Sequence, residues 1–251
     1  MKYSRIILPI SILCLIFIID YYNKYYMPNT SFEAESIFLY VIKDDSIAFK
    51  DSISKYIKSE KTFYKVAKKL EYLENKKTGR FKIAKDIGNN DIVNALRFNN
   101  TPVNVTFNNQ ERLEDLAGRV SNQIYEDSIS LLTAFTDQEF LKNNDLNDQN
   151  VLSIFIPNSY NIYWDTSSED FRDRMLTEYN KFWNKERSKK AEELGLTKLE
   201  IISLASIVQL ESRKVDERPR VAGLYINRLR DNMRLQADPT VIYTIKEYYN
   251  N

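Results

Sequence analysis

Asp, Glu, Lys and Tyr are the side chains this chain has left for acid–base work. Its 251 residues include no histidine, and the one cysteine, Cys14, sits inside an apolar run. His-based triads, His metal sites, a Cys nucleophile in a soluble domain and zinc knuckles are thereby excluded. The five glycines stand at 79, 88, 118, 195 and 223, too scattered for a phosphate-cradling loop or a dinucleotide fingerprint. One carboxylate stands out. In LASIVQLESR (204–213), Leu204, Ile207 and Val208 share a helical face, and Glu211 continues that stripe. At about 100° per residue, Glu211 falls nearly in line with Leu204 and Gln209 falls opposite. An acid on an apolar face loses hydration and holds its proton, which is the condition of a general acid in glycoside cleavage. The plainer alternative is a Glu that surfaces at a helix end or pairs with Arg213 or Arg218, and pattern alone favours it.

The elements around Glu211 have readable boundaries. Thr197 and Glu200 have capping-box spacing ahead of the helix that carries it. The next helix starts at a cap, Asp216, with Pro219 in its first turn. Its buried stripe reads Val221, Tyr225, Leu229 and Met233, widened by Ala222 and Ile226. Asp238 followed by Pro239 marks a third helix start, and capping alone accounts for that pair. Asn227, Arg228, Gln236, Asp238 and Thr240 form a polar cluster able to face Glu211.

Upstream, IFLYVI (37–42) and GRFKIAK (79–85) read as strands. Residues 51–73 read as two helices with a break at 59–62, and DIVNALRF (91–98) as a short helix. The order β-α-α-β-α predicts a small α+β module ending near Asn100. PVNVTF (102–107) alternates as a strand and opens a second unit. An amphipathic helix at 110–124 follows, burying Leu113, Leu116, Val120 and Ile124. Residues 149–164 read as extended and aromatic, and 167–194 as one long charged helix with Phe171, Met175, Tyr179 and Phe182 inward.

Apolar residues make up 43% of the chain, enough for a core, and the net charge of +1 gives no electrostatic case for nucleic acid. At the amino end, Lys2 and Arg5 precede an apolar run, Ile6 to Ile19. With Tyr21 and Tyr22 it reaches the short end of a bilayer crossing, and Tyr21, Tyr22, Tyr25 and Tyr26 read as an interfacial belt. No small-residue cleavage site follows closely, so the reading is an uncleaved anchor over 6–22 behind a cytoplasmic tail at 1–5. A polar linker is expected at 27–36.

LASIVQLES, ERPRVAGLYINRLR and MRLQADPTVIY together resemble the signature of the endolytic murein transglycosylases, the MltG or YceG-like family, densely over about residues 199–243. TGRFKIAKDIGNNDIVNALRFN resembles the family's small LysM-like module. FIPNSYNIYW resembles its Pro-x-Thr-Tyr segment, with Ser159 in place of Thr. The resemblance implies an α+β chain with an N-terminal transmembrane helix. A LysM-like module (37–100) and a mixed α/β catalytic domain (102–251), mainly helical toward its end, would follow. It implies a single-pass protein of the bacterial cytoplasmic membrane with an extracytoplasmic lyase domain. That lyase would cut the MurNAc–GlcNAc β-1,4 bond of nascent glycan strands to leave 1,6-anhydromuramic ends. No cofactor or metal is implied; peptidoglycan strands, the membrane and peptidoglycan synthases (penicillin-binding proteins) are the implied partners, with no nucleic acid. The family pattern usually reads Glu-x-Glu where this chain has Gln209-Leu210-Glu211, so the catalytic role carries over to Glu211. Gln236 and Asp238 match the family's Leu-Gln-x-Asp-Pro-Thr segment and are expected to bind substrate with Asn227, Arg228, Thr240 and Tyr160. Family members continue with Tyr-Asn-Thr-Tyr and Gly-Leu-Pro-Pro-Gly segments, so the expectation is a catalytic domain lacking its carboxyl end. Two other readings stand beside the lyase. One is a non-catalytic, membrane-anchored wall-binding or scaffold protein. The other is a water-using glycosidase, for which Asp238 is the nearby second carboxylate.

Overall fold

The computed structural model describes residues 4–250, leaving aside the side chains of 4–8, 247, 248 and 250; the expected tail at 1–5, with Lys2 and the Arg5 side chain, lies outside what is described apart from the backbone at 4 and 5. The chain is mixed α+β and divides into two compact units.

The first unit comprises 1–110, 114–131 and 158–168. It opens with helix α1 (Ser4–Tyr25), whose side chains Ile10, Ile12, Leu13, Leu15, Ile16, Phe17, Ile18 and Ile19 are all exposed. Tyr21 and Tyr25 stack at 4.2 Å near its end. Among the described residues, no helix is long and apolar enough to cross a membrane. Physically, the mainly apolar run from Ile6 to Ile19 extends roughly 21 Å at about 1.5 Å per residue, against a hydrocarbon core of about 30 Å. Asp20, ion-paired with Lys24, ends it.

The expected module follows in the expected order: β1 (Ser36–Val41), α2 (Ser46–Ser54), α3 (Glu60–Lys69), β2 (Gly79–Ala84) and α4 (Asn89–Phe98). β1 and β2 form an antiparallel ribbon in register Ser36↔Ala84 through Val41↔Gly79. Period-two alternation turns Leu39, Val41, Phe81 and Ile83 inward, against Phe49, Ile53, Phe63, Tyr72, Ile92 and Leu96. The break between α2 and α3 falls slightly earlier than the pattern indicates, because Ser59 caps α3 by accepting from the Thr62 amide. The expected linker at 27–36 is in part no linker. Asn29 and Thr30 are buried, and Pro28 and Thr30 make antiparallel bridges to Gly88 and Ile57. A second ribbon pairs β3 (Val103–Phe107) with β4 (Asn158–Ile162), antiparallel, Val103 opposite Ile162. Tyr160, expected in the substrate site, is 6% exposed, with its ring 5.5 Å from Phe107. It is a core residue of this ribbon because strand alternation turns it inward beside Ile162.

The second unit comprises 111–113, 132–157 and 169–251. Two helices link the units in sequence: α5 (Leu113–Ser121), burying Leu116 and Val120, and α6 (Ser128–Phe135). Within the unit, α7 (Gln138–Asn143) precedes a 3-10 turn (Val151–Ile154), which takes the place of the first part of the extended run expected from residue 149. The long charged helix is two: α8 (Ser168–Phe182) and α9 (Lys185–Glu193). Asn184 separates them by capping α9 through the Arg187 amide, and Trp183, rather than Phe182, takes the buried position. Helices α10 (Lys198–Glu211), α11 (Arg218–Arg230) and α12 (Asp238–Asn250) complete the unit around a small core of Leu204, Val208, Tyr225 and Ala237.

Candidate active site

Helix α10 starts as its sequence requires. The Glu200 amide donates to Thr197 Oγ1 at 3.2 Å, and Glu200 Oε2 accepts from the Thr197 amide at 2.7 Å, a closed capping box. Leu204 and Val208 bury its inner face, and Glu211 is its last residue. Contrary to the stripe pattern, Glu211 is exposed. The apolar face that is covered ends one turn earlier, at Val208, so the desolvation expected of this acid does not arise.

A tight turn then reverses the chain. Ser212 is buried; its amide donates to the Val208 carbonyl at 3.1 Å and its hydroxyl to Glu217 Oε2 at 2.9 Å. Arg218 donates from Nε to the Ser212 carbonyl at 3.3 Å, so it serves the turn rather than pairing with Glu211. Asp216 does not cap α11. Glu217 occupies the cap position without a side-chain bond, and Pro219 lies in the first turn as expected.

This reversal lays α11 back beside α10 and sets Tyr225, 3% exposed, under the carboxylate. The Tyr225 proton is held more tightly than in ordinary tyrosine, first through burial, then through interaction of the hydroxyl with the negatively charged Glu211; Arg228 opposes the shift and Asp238 adds to it. Glu211, Arg228 and Asp238 therefore act on one phenol. The sequence pattern places Tyr225 on the buried stripe and says nothing of its hydroxyl. Leu229 and Met233, placed on the same stripe, are exposed. The available signal is chemical: a buried phenol usually finds a partner for its hydroxyl.

The segment between α11 and α12 is held from both sides. Asn232, at φ 52°, adopts the left-handed conformation, with its amide donating to the Leu229 carbonyl at 3.2 Å and the Met233 amide to the Arg228 carbonyl at 2.8 Å, the Schellman pattern. Arg228 also donates from its guanidinium to the Leu235 carbonyl. Gln236, exposed, has φ 52° without being glycine, a conformation that costs on the order of 1–3 kcal/mol and tends to occur at functional sites. Asp238, exposed, stands in the first turn of α12. Thr240 turns its hydroxyl to the Ala237 carbonyl at 2.6 Å, and Asn227 is exposed on α11. The structure thus joins Arg228 and Asp238 to Glu211 through Tyr225. Among the described residues, no hydrogen bond links the side chains of Asn227, Gln236 or Thr240 to Glu211.

An open carboxylate carried on a helix end, backed by a phenol and flanked by an arginine and a second acid, can donate and accept a proton at a solvent-facing surface. The profile of the YceG-like family matches residues 45–251, and the chain belongs to that family. It is 34% identical over 80 residues to the endolytic murein transglycosylase of Bacillus subtilis, covering 32% of this chain and 22% of that protein. It is 32% identical over 91 residues to the endolytic murein transglycosylase of Streptococcus pneumoniae, covering 35% and 16%. The chain thus spans about a fifth of the length of the curated relatives it matches. Its fold is similar to the crystal structure of a YceG-like protein from Listeria monocytogenes, with TM-score 0.53, 22% identity, 84% of this chain and 76% of that chain covered.

Proposed function

We propose that this chain is a lytic murein transglycosylase that cleaves within glycan strands, with catalysis in residues 102–251. The observation that carries the reading is the position of Glu211: the sole carboxylate on its helix end, open to a ligand, with its phenol partner fixed in the core. Glu211 protonates the glycosidic oxygen as the C1–O bond breaks. The C6 hydroxyl of the same muramic residue then attacks C1, and the ionised Glu211 takes its proton, closing the 1,6-anhydro ring. No water is consumed, and one carboxylate serves as acid and then base. Because the attacking hydroxyl belongs to the substrate, much of the entropic cost of a second reactant is avoided. Substrate lying over the open carboxylate supplies the exclusion of water that the free site lacks. Asn227, Arg228, Gln236, Asp238 and Thr240 are assigned to holding the strand. Glu211→Gln is expected to abolish anhydromuramyl product while Gln209→Ala retains much of it; substantial product from Glu211→Gln sinks the assignment.

We further propose that α1, although its apolar run is shorter than the hydrocarbon core, attaches the protein to the cytoplasmic membrane as a single pass through local thinning of the bilayer and the interfacial Tyr21, Tyr22, Tyr25 and Tyr26, with the remainder outside, where peptidoglycan synthases would be neighbours. Its all-round exposed apolar side chains support this. Membrane-extracted protein is expected to keep its intact amino terminus by mass; a mature form beginning near residue 37 overturns it.

A second reading, a non-catalytic wall-binding protein, draws on an aromatic group in the first unit. The ring of Trp164 lies 4.9 Å from that of Tyr40 and 5.1 Å from that of Tyr125, and both tyrosines are exposed, a surface on which sugar rings stack. Strand binding without any cleavage would favour it.

A further inference from the structure

The first unit contains a cavity of about 570 Å³ that Glu211 and its partners do not use. Its walls carry four cations, Lys43, Lys76, Lys77 and Arg97, and one acid, Asp165. In a chain whose charges nearly cancel, this is a local concentration of positive charge. Among the described residues, none of the four cations is in an ion pair. Lys43 and Lys77 are exposed. Lys76 is 7% exposed, and its ammonium has only the Ser46 hydroxyl at 2.9 Å and the Phe49 ring at 5.2 Å for partners. Burying an ammonium without a carboxylate is costly, and an anion in the cavity lowers that cost.

We propose that this cavity binds a phosphate ester. Several ammonium groups lining one cavity suit a multiply charged group with three oxygens. A carboxylate is held best by the fork of a free guanidinium, and that of Arg97 already donates to the Leu70 carbonyl. The volume far exceeds a bare phosphate and lies in the range of small-ligand sites, roughly 300–1,000 Å³. Phe98, 74% exposed on the wall, offers an apolar face to the body of the ester. The phosphate arrives either on a membrane lipid headgroup or on a soluble ester or polyol-phosphate polymer.

The test uses the full chain in neutral detergent, titrated with glycerol 1-phosphate by calorimetry at fixed ionic strength. Saturable binding is expected, displaced by inorganic phosphate and not by equal chloride. Lys43→Gln with Lys77→Gln should weaken it about tenfold or more, while Lys65→Gln, the same charge loss outside the cavity, should leave it within about twofold. Absence of saturable binding, equal displacement by chloride, or equal weakening by Lys65→Gln overturns the proposal. A second arm compares phosphatidylglycerol with phosphatidylcholine vesicles, so that any contribution of α1 cancels. Loss of the anionic preference in the double variant identifies the headgroup as the source. An unchanged preference together with weakened glycerol phosphate binding identifies the soluble ester.

Discussion

Tyr225, buried between α10 and α11, interacts through its hydroxyl with the exposed carboxylate of Glu211. The interaction couples the carboxylate at the end of α10 to the buried core beneath it. Tyr225→Phe removes the hydroxyl and leaves the packing. Loss of the polar partner of a charged group is expected to lower kcat about tenfold with KM nearly unchanged and thermal midpoint little altered. A fall in stability with unchanged kcat in the folded fraction would make Tyr225 a packing residue only.

Asp238 tests the one-carboxylate mechanism. Asp238→Asn keeps a polar side chain in the first turn of α12 and is expected to leave measurable anhydro product. If it is as inactive as Glu211→Gln while folded, or if oxygen-18 water labels the muramic end, two carboxylates are at work and the protein is a hydrolase.

Tyr72 is fully buried, and its hydroxyl finds no hydrogen-bond partner among the described residues. Tyr72→Phe is therefore expected to be neutral or to stabilise the fold by up to about 1 kcal/mol at neutral pH, measured by denaturant unfolding. A loss of more than that would reveal a partner for the hydroxyl.

Burial raises the proton affinity of Tyr72, and of Tyr64, Tyr179 and Tyr225, above the ordinary value of 10.0. Above that pH the unfolded chain loses its tyrosine protons first, so the folded state binds more protons. Their contribution to stability is full below this range and declines as pH rises through the unfolded value toward the folded ones. Unfolding followed from neutral to alkaline pH should show this decline, and Tyr72→Phe should make it shallower. An unaltered slope in the variant contradicts the assignment to Tyr72.

Asn232 accepts the left-handed conformation that closes α11. Asn232→Val is expected to cost about 1–2 kcal/mol and Asn232→Gly close to nothing. Equal unfolding midpoints for the two variants would mean that the turn relaxes.

What the sequence made legible were features with local causes. Thr197 and Glu200 meet three residues apart, so their box follows from spacing alone. The alternation in SIFLYV and GRFKIA leaves one choice of inward face. The misses have tertiary causes. The Glu211 stripe continues in projection, but whether a face is covered depends on where the returning helix lies. The run from Ser167 has helical composition throughout, and only Asn184, a capping residue beside Trp183, interrupts it. Residues 125–148 hold α6 and α7, whose short lengths give too few turns for periodicity to register. Tyr225 was visible as apolar, because a helical wheel has no place for what its hydroxyl must do.

The junction after α1 has mechanical meaning. Asn89 donates to the Lys24 carbonyl at 2.8 Å and accepts from Asn29 at 2.6 Å, and a Cβ on Gly88 would lie 2.6–2.7 Å from the backbone of Tyr25 and Tyr26. The first turn of α4 is thus bolted to the last turn of α1 with no slack between them. A protein suspended from α1 would not swing on a string. Its first unit would ride like a bracket at a set height and angle above whatever surface holds that helix, and the stretch of wall within its reach would be a narrow stratum rather than a sphere.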